Sequence, residues 1–290
     1  MFKTKKEVQE LAQEMRIKIK GLYKLPEIKI SPIFFEDGDQ PYKADWLMTY
    51  AKFDNGMIHE LAKVSDQYAL VQHFDAIGQT LDIFNNLPEF NLDEVDVKLS
   101  DKGGRCWTKF TSSKPVIIEP GDEIFPQVTL VNSCDTSKRF GLNWGAIRQI
   151  CTNGMMGPDD RIKGGSSRKL HKKGTLSLEE EIGQFAESFE DASSSLGIWK
   201  EYTKLDITGQ QFEDVMVDMG LSENQQEDIM VLPLRGEEDS VQGLLTAKKR
   251  INGWKAYNAI TQWITDGTEN QDTALARGMA VSVEFDKLLK

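Results

Sequence analysis

A chain of 290 residues with 39% apolar composition is long enough to bury a sizeable core, so disorder is not its default state. It has no run of about 18 apolar residues of the kind that crosses a bilayer. Its polar opening, MFKTKKEVQE, reads as a helix start and not as a signal peptide, so a soluble, cytoplasmic protein without a membrane partner is expected. The net charge of −11 argues against a polyanion partner for the chain as a whole. Cys106, Cys134 and Cys151, odd in number and without a CxxC pair, support neither a disulfide framework nor a zinc ribbon.

Thr4-x-x-Glu7 is a capping-box pattern, and Val8, Leu11, Met15 and Ile19 then recur near the helical period until Gly21 can end the helix. Pro26, Pro32 and Pro41 punctuate a connector, so residues 1–45 read as a helix and its link to the core. Trp46 to Phe53 and Met57 to Val64 flank Asp54-Asn55-Gly56 as a β-hairpin. Tyr68, Val71, Phe74, Ile77, Leu81 and Phe84 predict a helix over Ser65 to Leu87, closed by Pro88. Strands follow at Val95 to Leu99, Cys106 to Phe110, Val116 to Ile118 and Gln127 to Val131, separated by glycine and proline turns. Arg139 to Trp144 alternates as a return strand, and Ile147, Ile150 and Cys151 suit one face of a short helix that Asn153-Gly154 ends. Strands followed by helices predict an α+β core over 46–156, an antiparallel sheet packed by helices.

Residues 157–175 are rich in Gly, Ser and cations and lack an apolar period, which predicts a mobile basic arm. Residues 176–290 read as acidic and mainly helical, with helices at Glu179 to Trp199, Gln211 to Met219, Ser222 to Met230 and Trp254 to Ile264. Trp254, Tyr257, Thr261 and Ile264 share one helical face, a packing stripe, with Asn258 beside it as a structural hydrogen bonder.

Against this acidic background, Thr136 to Lys173 holds nine cations, Lys138, Arg139, Arg148, Arg161, Lys163, Arg168, Lys169, Lys172 and Lys173, and two acids, Asp159 and Asp160. Such a segment either steers a polyanion by its local potential or is a solvated loop. Phe140 and Trp144 share a strand face and would stack bases if exposed, or fill the core if not. The patterns GxxxxGK[ST], GxSxG and HExxH are absent, which removes support for familiar nucleotide hydrolases, serine hydrolases and zincins. No cofactor is implied. Asp135, with Asn132 and Ser133, offers hard oxygens to a metal, but the same residue types stabilise turns through local hydrogen bonds. Cys151, one helical turn from Arg148, is either a nucleophile or a core thiol, and core is the simpler reading for a cysteine with no evident base.

Three short motifs in order carry a family resemblance. They are Asn132-Ser133-Cys134-Asp135-Thr136-Ser137, Arg148-x-x-Cys151-x-Asn153-Gly154 and Trp254-x-x-Tyr257-Asn258-Ala259-x-Thr261. They resemble the phage and plasmid proteins grouped as domain of unknown function 932, over roughly Trp46 to Thr265. Cys134 and Thr136 stand where that pattern commonly has His and Gly, so a role built on a turn histidine does not carry over. The resemblance implies a mobile-element setting. With the basic segment it leads to a non-enzymatic, homo-oligomeric protein that binds single-stranded DNA and anneals it in recombination. Two alternatives stay open: a metal-dependent nucleic-acid enzyme using Asp135, and a regulatory module whose acidic helices bind a host or phage protein.

Overall fold

Thr4 and Glu7 close the predicted capping box: Thr4 Oγ1 accepts from the Glu7 N–H at 3.3 Å, and Glu7 Oε2 accepts from the Thr4 N–H at 2.6 Å. The helix they start, α1 (Lys5–Glu14), stops earlier than its apolar period predicts. Arg16 takes a left-handed φ of 57°, and the Arg16 and Ile17 N–H groups return to the Gln13 and Ala12 carbonyls at 3.0 and 2.8 Å. These paired bonds satisfy the last helical carbonyls without a glycine. Ile19, expected on α1, therefore lies in β1 (Lys18–Lys20). Gly21 instead turns the chain out of β1: its φ is 82°, and a Cβ there would stand 2.3 Å from the Val97 carbonyl oxygen.

The computed structural model describes residues 3–37, 40–87, 90–148, 154–156, 166–188, 197–234, 239–248, 250–268 and 270–290, and the fold is α+β. The chain divides into two compact units. The first comprises Met1–Ser113, Val128–Asn143 and Ser166–Glu187; the second comprises Lys114–Gln127, Trp144–Gly165 and Ser188–Lys290. The units interleave along the chain, whereas boundaries drawn from composition run in sequence order.

In the first unit the segment expected as a connector is a strand. β2 (Glu27–Asp37) pairs antiparallel with β3 (Gln40–Lys52), which continues into β4 (Ile58–Val64) through the predicted turn at Gly56. Pro32 is tolerated because it sits on an outer strand where the register shifts. A second sheet begins with β1 parallel to β5 (Leu92–Leu99), followed by β6 (Arg105–Ser112). It continues through β8 (Asp122–Ser133) and β9 (Phe140–Arg148). Helix α2 (His73–Asn85) starts later than Ser65 and buries Ala76, Ile77, Leu81 and Phe84. Phe84 meets Phe110 of β6 with ring centroids 6.4 Å apart. Ahead of the helix, the Gln72 amide pairs with both backbone groups of Ile28, at 2.6 and 2.9 Å, as a strand neighbour would.

The basic segment departs from its expected form. Ser166–Lys169 is strand β11, antiparallel to β9, with Lys169 opposite Phe140. Beyond it, the Lys173 N–H donates to the Gln67 carbonyl at 2.9 Å and the Ala69 N–H donates to the His171 carbonyl at 3.2 Å. A sheet edge recruits a partner through main-chain groups, so these residues are pinned without any apolar period. The rest of the predicted arm, 157–165, lies outside the described residues.

The second unit contains β7 (Val116–Glu119), paired with the start of β8, and β10 (Gly154–Met156), paired with the end of β9. Gly154 lies opposite Ile147, so Ile147 belongs to a strand and not to the predicted short helix; Ile150 and Cys151 lie outside the described residues. Of the long helix expected over Glu179 to Trp199, Leu178–Glu187 (α3) is helical in the first unit and Ile198–Tyr202 in the second. The predicted helix at Trp254 spans Gly253–Gly267, capped by Asn252 Oδ1, which accepts from the Trp254 and Lys255 N–H groups at 2.9 and 3.3 Å. Its stripe is core, as expected: Trp254, Tyr257, Thr261 and Ile264 are all buried. Tyr257 packs on Phe285 of the helix Gln271–Lys287, centroids 5.3 Å apart.

Candidate nucleic-acid interface

The turn from Asn132 to Lys138 is held by its own polar side chains. Asp135 Oδ1 accepts from Ser133 Oγ at 2.6 Å and from the Ser137 N–H at 3.1 Å, and Arg105 Nε stands 3.4 Å from Oδ2. Burial alone would raise the Asp135 carboxyl, but the Ser133 and Ser137 hydrogen bonds and the Arg105 charge outweigh it and hold the group below its ordinary value. Asn132 points inward, donating to the Val71 carbonyl at 3.0 Å and to His73 Nδ1 at 2.9 Å. His73 Nε2 must then carry the proton that it donates to the Gly103 carbonyl at 3.0 Å. Burial holds this neutral imidazole down at about 4. The three hard-oxygen residues thus do not converge: Asn132 serves the core and both Asp135 oxygens have partners. Among the described residues, no group of three or more His, Cys, Asp or Glu is placed to hold a metal.

Cys134 is wholly buried, where its thiol donates to the Val71 carbonyl at 3.2 Å, and Cys106 is buried with its thiol pushed up to about 12. Neither is placed to act as a nucleophile, since the reactive form is the thiolate.

Beside the turn opens a cavity of about 670 Å³ within the first unit. Its wall brings together Trp46 from β3, Lys63 from β4, Lys138 and Arg139 from the turn, and His171 and Lys172 from the strap after β11. Lys63, Lys138, Arg139 and Lys172 are exposed, as is the adjacent Lys173. Tyr68 supports the wall from within: its hydroxyl donates to the Ser133 carbonyl at 3.2 Å and its ring stacks on His171 at 5.5 Å. Four cations around one indole give a concave surface suited to phosphates and to a planar base.

Other predicted site residues lie elsewhere. Arg148 is a correction: its Nε donates to Asp122 Oδ1 at 2.7 Å and its Nη2 to Oδ2 at 2.5 Å, with side chains only 11% and 8% exposed. The Trp254 indole N–H donates to the same Oδ2 at 2.6 Å, and the guanidinium sits 5.7 Å from the Trp254 ring centroid. Giving Arg148 to a phosphate would strand a buried carboxylate. Phe140 and Trp144 are also corrected, being 0% and 2% exposed, with the Trp144 indole N–H donating to Ser188 Oγ at 3.0 Å. Lys169 is half exposed and paired with Glu181 at 3.0 Å. Arg168 lies in β11, and Arg161 and Lys163 fall outside the described residues.

Trp46 and Lys63 are the site residues that sequence reasoning missed. Both fall in the predicted hairpin strands, and the alternation of a strand gives a residue's face only after its register is known.

No curated protein and no solved structure matches the chain. Among the described residues, no helix is long and apolar enough to cross a membrane. Two of the three motifs that carry the family resemblance contribute Arg148 and Trp254, which meet at Asp122, so that much of the pattern describes how the second unit is held together. The family model matches residues 60–282, and the chain belongs to the family described as Domain of unknown function (DUF932).

Proposed function

We propose that this protein binds single-stranded DNA and works as an oligomer in strand annealing for a phage or other mobile element. The observation that carries the reading is the convergence of Lys63, Lys138, Arg139 and Lys172 on one cavity that also exposes Trp46. Among the described residues, Arg139, Lys172 and Lys173 enter no ion pair, so their charge is not cancelled locally. An acidic chain can still bind a polyanion there, because salt screens charges beyond about 8–10 Å and the near field dominates. Annealing requires no covalent step: a surface that neutralises phosphates and leaves bases accessible lowers the electrostatic barrier between two strands. The mobile-element setting rests on the resemblance to phage and plasmid proteins, and the annealing step rests on analogy.

Equilibrium titration of oligothymidylate against salt tests the reading. Four neutralised phosphates on a single strand correspond to a log–log slope of about −3. Replacing Lys63, Lys138, Arg139 and Lys172 together by Ala should flatten that slope towards zero. An unchanged slope in the variant, or no salt-dependent binding by the wild type, would sink the proposal.

A further inference from the structure

We infer that the cavity receives one unstacked nucleotide of the bound strand, its base lying against the Trp46 indole and its phosphate held by Lys138, Arg139 and Lys172. This rests on the single-strand reading above and specifies what that site recognises.

Trp46 is 55% exposed, whereas Trp144, Trp199 and Trp254 are 2%, 0% and 1% exposed. Indoles supply so much burial energy that one left at the mouth of a cavity stands out. At about 670 Å³ the cavity lies within the range that takes a small organic ligand, and it has room for a base with its sugar. Its cations are grouped at Lys63, at Lys138 and Arg139, and at Lys172, so a phosphate entering with the base meets positive charge from more than one element.

The wall is also fixed in advance. Thr136, which lines the cavity, holds a left-handed φ of 61°, and the Ser133 and Ser137 bonds to Asp135 lock that turn. Behind it, Tyr68 is buried and His171 Nδ1–H donates to the Ala69 carbonyl at 3.2 Å. A preformed site leaves the strand to pay for unstacking, and stacking on an indole accepts any base. The site should therefore hold a strand with little sequence preference.

The test titrates the full chain with oligothymidylate, an abasic strand of equal length and thymidine monophosphate, following Trp fluorescence and anisotropy. Trp46→Ala should weaken oligothymidylate binding about tenfold with the salt slope unchanged, because it removes stacking and no charge. Trp46→Phe should recover most of the loss. The wild type should bind the abasic strand as weakly as Trp46→Ala binds oligothymidylate. Trp46 is exposed, so an unaltered melting temperature is expected of both variants. Wild-type affinity in Trp46→Ala, with the salt slope intact, would overturn the pocket assignment and leave the nucleic-acid reading standing. Thymidine monophosphate binding as tightly as the oligomer would make this a free-nucleotide site and overturn the inference. Absence of salt-dependent binding by the wild type would remove both readings.

Discussion

Arg139 and Arg148 bracket the same strand, yet one opens onto a cavity wall and the other is sealed into a core. Arg139 is exposed, joins three other cations around the cavity and enters no ion pair among the described residues. Arg148 is clamped by Asp122, which also takes the indole proton of Trp254, from the helix Gly253–Gly267. Both arginines lie in the basic segment Thr136 to Lys173, and charge counted along the chain does not tell them apart. What separates them is a carboxylate 26 positions earlier than Arg148, which is close only because β8 and β9 are neighbours. A cation's availability to a ligand is thus a tertiary property, and substitutions at the two positions should fail in different ways.

The largest effect is expected at the core arginine. Arg148→Ala leaves Asp122 buried without its counter-charge, a loss that typically costs about 3–5 kcal/mol. Denaturant unfolding should show that fall in stability, whereas Arg139→Ala should stay within about 0.5 kcal/mol of the wild type. Joining Arg148→Met to Asp122→Asn removes both charges while leaving an acceptor for the Trp254 indole, so the double variant should recover part of the loss. Equal stability of Arg148→Ala and Arg139→Ala would mean that Arg148 is not the architectural member of the pair.

A second contrast concerns protons. His73 is buried and neutral, with its pKa lowered from 6.5 to about 4 by burial. Between those values the unfolded chain binds the extra proton, so the stabilisation is full above pH 6.5 and is lost as pH falls towards about 4. From pH 7 to 5 this amounts to roughly 2 kcal/mol of lost stability. His73→Gln cannot take up that proton, and its unfolding free energy should change less over the same interval. A wild type equally stable at pH 5 and 7 would contradict the buried, neutral imidazole.

Much of the first unit was legible because its signals are local. Thr4 and Glu7, three residues apart, mark a helix start; Asn55-Gly56 marks a turn; and the period of Ile77, Leu81 and Phe84 marks a packed face. The stripe at Trp254 and Tyr257 was legible for the same reason. The errors arose where a distant partner decides. Arg16 ended α1 without a glycine, and the 166–169 segment became a strand because β9 had an edge to complete. The choice between core and surface for the aromatics was decided on similar grounds: Trp144 found a core and Trp46 did not. Neither outcome follows from strand alternation before register is set. The basic character of the site was legible, but the inclusion of Lys63 and Trp46 depended on the pairing of β3 and β4 beside the turn.

A smaller effect is expected at the exposed arginine itself. Arg139→Ala should weaken oligothymidylate binding severalfold at low salt and reduce the salt slope by about 0.7, the share of one phosphate on a single strand. Arg139→Lys keeps the charge and should keep most of the slope. A loss of slope on Arg148→Lys equal to that of Arg139→Ala, with the protein folded, would place both arginines at the interface and erase the distinction between them.

The smallest effect tests whether the cavity wall is strained. Thr136 is β-branched and holds a φ of 61°, a conformation that costs roughly 1–2 kcal/mol in a residue with a Cβ. Glycine removes that cost but adds freedom to the unfolded chain worth about 0.4–1 kcal/mol. Thr136→Gly should therefore stabilise the first unit by about 0.5 kcal/mol, a rise of a degree or two in melting temperature. The gain is small because Ser133, Ser137 and Arg105 already fasten Asp135 and would hold the turn in either variant. Binding is the more telling measurement. If the strain keeps the wall shaped for a nucleotide, Thr136→Gly should be more stable and bind more weakly, with the salt slope unchanged. Higher stability with undiminished affinity would assign the left-handed turn to folding alone and leave the cations and Trp46 to account for recognition.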